Sequence, residues 1–214
     1  MQLVRPPYAV RKLFSSLIWR IPTAEKKIYL TFDDGPVPEV TPRVLDILKK
    51  HNAKATFFCI GQNVEKNTGL YKQITDEGHS VGNHTYNHLN GWKTRDSEYF
   101  SNIEKCSALV LSNLFRPPYG KITRTQIKKI IYSNPRPSSL VSFPSSIIMW
   151  DVLSYDFDRS VSPEKCLSNV MRYSREGSII VFHDSLKAQR NLEYTLPKAI
   201  EQLSLKGFSF EALK

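Results

Sequence analysis

The chain has 214 residues, 41% apolar and 23% charged, proportions that suit one soluble domain with a substantial core. Thirty Lys and Arg against twenty Asp and Glu leave a net charge of +10, which favours anionic partners. The basic residues come as dispersed pairs such as Lys26-Lys27, Lys49-Lys50 and Lys128-Lys129, so no run forms a nucleic-acid arm and a solvated basic surface is the better account. Cys59, Cys106 and Cys166 are odd in number, widely spaced and set among apolar residues. That excludes a disulfide framework or a zinc knuckle and predicts buried free thiols.

Residues 1–26 form a basic lead-in with Arg5, Arg11, Lys12 and Arg20, and its short apolar pieces end in Leu17-Ile18-Trp19-Arg20. It lacks the long apolar run and small-residue cleavage site of a secretory signal. No stretch of the chain reaches transmembrane length. The lead-in reads as an amphipathic segment over the bottom of the fold in preference to a membrane-surface anchor. The default expectation is a cytoplasmic protein without stable membrane insertion, with surface association or export left open.

From residue 27 to 214, strand-like and helix-like segments alternate in what reads as one catalytic domain. Ile28-Tyr29-Leu30-Thr31-Phe32 is a short buried strand, and Asp33-Asp34-Gly35-Pro36 sets two carboxylates against a turn at its end. Thr41-Pro42 predicts an N-cap and first helical position, followed by an apolar face of Val44, Leu45 and Leu48. Ala55 to Ile60 is a second buried strand. A helix through Leu70 and Ile74 should stop at Gly78, and His79 to Gly82 is a short strand. Phe100, Ile103, Cys106 and Val110 have helical spacing, and Thr123 is placed to cap a helix with Ile127, Ile130 and Ile131. Ser133 to Ser146, with three prolines and many serines, reads as an inserted surface loop. A strand at Ile147 to Trp150, a helix opened by Ser162-Pro163, a strand at Ser178 to Phe182 and a helix with Leu196, Ile200 and Leu203 complete the pattern. Such alternation predicts an α/β fold with a mostly parallel sheet. Polar clusters at the C-terminal ends of the strands are where a (β/α) barrel builds an active site.

Asp33 and Asp34 taken alone read as a solvated turn. His84-Thr85-Tyr86-Asn87-His88 changes the weighting, because histidines at i and i+4 share one face of a helical turn and can bind one metal ion. With one of the two aspartates they make a three-ligand set of the kind that catalytic zinc sites use. The other aspartate is then free to act as a base. Arg116, before two prolines, can pin a carboxylate in a bidentate pair. Asp151 and Asp156 follow a strand, and His183-Asp184 follows the next.

Together these motifs resemble the polysaccharide deacetylases, carbohydrate esterase family four, with a NodB-type domain. Thr31-Phe32-Asp33-Asp34-Gly35-Pro36, His84-Thr85-Tyr86-Asn87-His88 and Arg116-Pro117-Pro118-Tyr119-Gly120 match that family's first three motifs. Asp156-Phe157 stands where the fourth has Asp-Trp, and Val181-Phe182-His183 where the fifth has Leu-x-His. The resemblance spans about Lys27 to Phe210. It implies a distorted (β/α) barrel of about seven parallel strands. It implies a divalent metal, zinc first and cobalt or nickel as substitutes, on Asp34, His84 and His88. Asp33 becomes the general base with Arg116 orienting it, His183 the general acid with Asp156 as partner, and the Tyr119 backbone N–H an oxyanion donor. The implied partner is an N-acetylated glycan, peptidoglycan or chitin-like, handled by a monomer. An O-acetyl esterase on xylan, or another small-amide hydrolase, shares every motif. A non-enzymatic anion-binding module leaves Asp34, His84 and His88 without a use.

Overall fold

Ile28, Leu30 and Phe32 are fully buried, and so is Thr31 between them. A strand covered on both faces belongs at the centre of a parallel sheet, and that is where this one lies. The structure, a computed structural model, describes residues 3–132 and 143–214. In chain order its elements are α1 (Tyr8–Leu13), β1 (Lys27–Asp33), α2 (Thr41–Lys50), β2 (Ala55–Cys59), α3 (Gly61–Lys66), α4 (Thr68–Asp76), β3 (Ser80–Asn83), α5 (Asp96–Ser107), β4 (Leu114–Phe115), α6 (Arg124–Tyr132), β5 (Ser146–Ile147), β6 (Val152–Leu153), α7 (Pro163–Tyr173), β7 (Ile179–His183), α8 (Gln189–Leu205) and β8 (Ser209–Phe210). A single 3-10 turn, Pro118–Gly120, follows β4. Most of the predicted Ser133–Ser146 insertion, residues 133–142, lies outside the described residues.

The sheet runs β5-β4-β3-β2-β1-β7-β6, with every pairing parallel, and β8 pairs the start of β1. Seven parallel strands thus curl into the distorted (β/α) barrel that the sequence predicts. In register, Asp33 lies opposite Phe58 on one side and His183 on the other. The lead-in touches both sides of the remaining seam. Ile18 bridges Ile148 in parallel and Arg20 bridges Ser178 in antiparallel. Leu17 is buried, and so is Val4, whose carbonyl accepts the Leu153 N–H of β6 at 2.8 Å. Arg5 and Arg11 reach the buried carboxylate of Asp151, which also takes Arg175 and the Ser178 hydroxyl.

The helices begin for local reasons. The Ser162 hydroxyl accepts the Lys165 N–H at 3.2 Å, and Pro163 opens α7. Thr123 and Gln126 exchange side-chain and backbone bonds of 3.0 and 3.2 Å, a capping box for α6. Gly78, at φ +77°, ends α4 as predicted. Thr41 departs from expectation: Val40 occupies the N-cap position of α2, and Thr41 is the first helical residue. Its hydroxyl accepts the Val37 N–H at 2.8 Å and donates to Asp184 Oδ2 at 2.5 Å, a tertiary demand that overrides the cap. The apolar faces of α2 and α8, through Leu45, Leu48, Leu196 and Ile200, pack with Leu30 and Phe32 into the main core. Cys59, Cys106 and Cys166 are buried free thiols. Among the described residues no helix is long and apolar enough to cross a membrane.

Candidate metal centre and catalytic cleft

Asp33 closes β1, and Asp34 sits one residue beyond it in a left-handed conformation, φ +85°. That twist sends the two carboxylates in different directions. Asp33 turns inward, almost fully buried, and accepts Arg116 Nη1 at 2.7 Å. Asp34 faces the cleft. Its carbonyl is held by Asn63 Nδ2 at 2.7 Å, and the next N–H, of Gly35, donates to Asp184 Oδ1 at 3.0 Å. A Cβ at Gly35 would fall 1.9 Å from Asp184 Oδ2, so only glycine lets the turn approach β7 this closely.

His84 and His88 follow β3, but not on the helical turn that their spacing suggests. Thr85 and His88 are left-handed, at φ 61° and 58°, and residues 84–88 carry no helix. The loop is shaped from outside. Asn102 Oδ1 accepts the N–H groups of Tyr86 and Asn87 at 2.8 and 2.9 Å, while Gly61 and Gln62 donate to the Thr85 and Tyr86 carbonyls at 3.0 Å each. These bonds satisfy the backbone that a helix would have satisfied internally, and still bring both imidazoles to one point. His84 Nε2 lies 3.8 Å and His88 Nε2 3.3 Å from Asp34 Oδ1. One ligand atom from each of the three residues falls within 4.8 Å of the others.

The rest of each ring is held as a metal ligand requires. His84 Nδ1 is 2.7 Å from the Arg116 carbonyl oxygen, which makes Nδ1 the protonated nitrogen and leaves Nε2 as the donor. His88 Nδ1 is 3.1 Å from the Tyr119 hydroxyl. Burial pushes the His84 imidazole down to about 4, so the ring is neutral near pH 7, the form that binds a cation. Two imidazole nitrogens, one carboxylate and an open side facing the cleft fit a divalent ion.

Arg116, fully buried, runs alongside. The fork that the sequence suggests toward a carboxylate does not form. Nη1 divides between Asp33 and the Thr31 hydroxyl at 2.7 Å each, while Nε and Nη2 donate to the carbonyls of Ile148 and Met149 at 3.1 and 3.0 Å. The strand-to-strand passage beside it offers those carbonyls, and a buried guanidinium must satisfy all its donors. Burial alone raises the Asp33 carboxyl, but the Arg116 charge, with His84 and His183, outweighs it and holds the group below the usual carboxylate range.

His183 closes β7 on the other side of β1. Asp156 accepts its N–H through Oδ2 at 2.7 Å and lies 2.8 Å from its Nδ1 through Oδ1. The Ser154 hydroxyl and Phe157 N–H add bonds of 3.0 Å each to Oδ1. Burial lowers the imidazole, but the charge and hydrogen bond of Asp156, joined by Asp34 and Asp33, outweigh it and raise the group to about 9. Phe157, in place of an indole, sets its ring edge-on to His183 at 4.9 Å.

The two aspartates and three histidines meet in a cleft of about 430 Å³, with Arg116 and Asp156 buried behind them. Asp33, Asp34, His84 and His88 line it with His183; Trp150, Leu153 and Val181 supply apolar wall, and Ser185 and Lys187 also border it. Asp33, Asp34, His84, His88 and His183 come from the ends of β1, β3 and β7, and their partners Arg116, Tyr119 and Asp156 from the segments after β4 and β6. Asp151, the other acid singled out after a strand, lies with the arginines instead. The sequence carries no signal for the Tyr119 phenol or for Lys187, and it marks Asp184 only by adjacency to His183, without its hold on Gly35 and Thr41.

The family model for polysaccharide deacetylase matches residues 20–131. A peptidoglycan-N-acetylglucosamine deacetylase of Bacillus cereus is 38% identical over 200 residues, covering 90% of this chain and 68% of the relative. A chitooligosaccharide deacetylase of Azorhizobium caulinodans is 35% identical over 173 residues, 77% of each chain. A solved peptidoglycan N-acetylglucosamine deacetylase, in complex with an N-hydroxybenzamide, superposes with a TM-score of 0.85 at 34% identity, over 97% of this chain and 95% of that one.

Proposed function

The chain belongs to the polysaccharide deacetylase family, and from that premise we propose that it removes N-acetyl groups from N-acetylglucosamine-containing glycans, peptidoglycan or chitin-like oligomers, with a divalent metal ion. One observation carries the reading. Asp34, His84 and His88 converge on the cleft, with Asp33 fixed by Arg116 and His183 fixed by Asp156 at the same opening.

Asp34, His84 and His88 would hold the metal, and zinc suits their N/O donors, with cobalt or nickel as substitutes. When bound, the ion supplies Lewis acidity to the acetyl carbonyl and lowers the pKa of water. Asp33, ionised beside Arg116, takes the proton of the attacking water. The Tyr119 backbone N–H is offered to the developing oxyanion, where a fixed donor is most effective. An amide nitrogen leaves poorly unless protonated, and His183 carries the proton for it from the opposite side. Asp156 keeps that imidazole protonated and aims Nε2 inward. Leu153, Trp150 and Val181 exclude water around the acetyl methyl.

The test is acetate release by metal-loaded protein from N-acetylglucosamine oligomers, peptidoglycan and acetylated xylan, before and after chelation. Release from the N-acetyl substrates, lost on chelation and restored by zinc, is expected. Release from xylan alone would make the protein an O-acetyl esterase, and chelator-resistant release would remove the metal from the reading.

A further inference from the structure

Ser185, Leu186 and Lys187 follow His183-Asp184 directly and turn into α8, with the Ala188 and Gln189 N–H groups on the Ser185 carbonyl at 3.0 and 3.1 Å. Lys187 borders the catalytic cleft. It also borders a second groove, of about 530 Å³, whose walls carry Arg159 and Arg190. All three cations are exposed. Glu193 lines the same groove, and Asp158 and Glu164 lie close enough to feel the charges of Lys187 and Arg190. Glu193 Oε1 accepts Arg43 Nη1 at 2.7 Å and Gln189 Nε2 at 2.9 Å, and Asp158 Oδ1 accepts the N–H and hydroxyl of Ser160 at 2.9 and 2.7 Å. Among the described residues none of the three cations forms an ion pair. Arg159, Lys187 and Arg190 against Glu193 leave the concavity positive, and a positive concavity concentrates an anion there.

We propose that this groove takes a carboxylate carried by the glycan next to the sugar being deacetylated, and that it selects acidic over neutral N-acetylated chains. Lys187 is the link, since its side chain faces both the reacting sugar and its neighbour. The proposal rests on the deacetylase reading of the cleft and names the substrate class within it. Chitin-like oligomers carry no carboxylate. Peptidoglycan carries one on the lactyl ether of each unsubstituted muramic residue, or on the peptide stem that replaces it.

The experiment compares wild type, Lys187→Gln and the Arg159→Gln/Arg190→Gln double variant. Acetate release is measured on N-acetylglucosamine oligomers, on peptide-free muramyl strands and on soluble fragments bearing stem peptides. The ratio of kcat/KM, acidic to neutral, should fall about fivefold in each variant, through KM, as expected for exposed charge pairs. Salt at ~0.5 M should compress the wild-type ratio in the same direction. The acidic substrate that loses more identifies the carboxylate, lactyl or stem. Thermal melts establish that the variants fold. An unchanged ratio with wild-type acetate release overturns the groove alone, and so does an equal loss on neutral and acidic chains. No acetate release by wild type from any glycan overturns the deacetylase reading and this inference with it.

Discussion

Arg116 Nη1 and Asp33 Oδ1 are joined at 2.7 Å across 83 residues of sequence, the arginine wholly buried and the carboxylate nearly so. The pair sets both the charge and the direction of the base. Arg116→Lys keeps the charge but cannot reach Asp33, Ile148 and Met149 together. We expect turnover to fall at least ~tenfold and stability by about 2–4 kcal/mol, since buried carbonyls lose their donors. Metal content should stay intact, because the group on His84 is the Arg116 backbone carbonyl. Activity, metal analysis and denaturant melts read the three effects apart. Wild-type turnover would leave Arg116 a purely structural residue.

Asp33 and His183 lie opposite each other at the ends of the neighbouring strands β1 and β7, and their variants should separate by substrate. Asp33→Asn should lose roughly a hundredfold or more on N-acetyl sugars and on activated acetyl esters alike, because water must be activated for both. His183→Ala should lose far less on the esters, whose leaving groups need little protonation. Equal losses on both substrates for His183→Ala would refute its role as the acid.

The pH profile follows from Asp156. His183 is held up to about 9, so an acid that must be protonated stays competent through neutral pH and the basic limb lies toward pH 9. Asp156→Asn removes the charge that favours the imidazolium. The limb should then move down by about a unit or more. An unmoved limb in kcat/KM would assign it to another group.

Tyr119 orients His88 through its phenol, 3.1 Å from Nδ1. Tyr119→Phe keeps the backbone N–H and removes only that partner. Metal affinity should weaken by about tenfold, the usual scale for a group one shell out. His84→Ala removes a ligand outright and should abolish stoichiometric metal. Titration with zinc, followed by metal analysis, checks both, and unchanged metal content in His84→Ala would overturn the ligand assignment.

Far from the cleft, His79 Nδ1 accepts the Ala55 N–H at 3.3 Å, and burial, helped by Lys54, lowers its imidazole to about 4. A folded value below the unfolded 6.5 means stability fully present above pH 6.5 and lost as pH falls toward 4. The effect is at most about 3 kcal/mol. His79→Gln keeps an acceptor without the titration, so its melting temperature should fall less between those pH values than wild type. Parallel slopes would show that His79 does not titrate in this way.

The amino-acid order alone determined the alternation of elements and the mostly parallel sheet, and the resemblance of its motifs implied the distorted barrel. Buried strands and amphipathic helices write their periods locally, as Ile28-Tyr29-Leu30-Thr31-Phe32 and Val44, Leu45 and Leu48 do. It also placed chemistry at strand ends, because Asp33-Asp34, His84 to His88, Arg116 and His183 each sit where an apolar run stops. Tertiary structure decided what those groups do to one another. Spacing alone put His84 and His88 on a helical turn, but Asn102, Gly61 and Gln62 bend that segment into a left-handed loop. Thr41 suits a cap, yet Asp184 claims its hydroxyl. Arg116 has a fork for one carboxylate, and the carbonyls of Ile148 and Met149 take most of it. In each case the deciding partner lies at least 15 residues away in sequence or on another strand, so no local pattern records it. Folding the sheet is what brings the partners within hydrogen-bonding distance, and burial then makes those bonds obligatory.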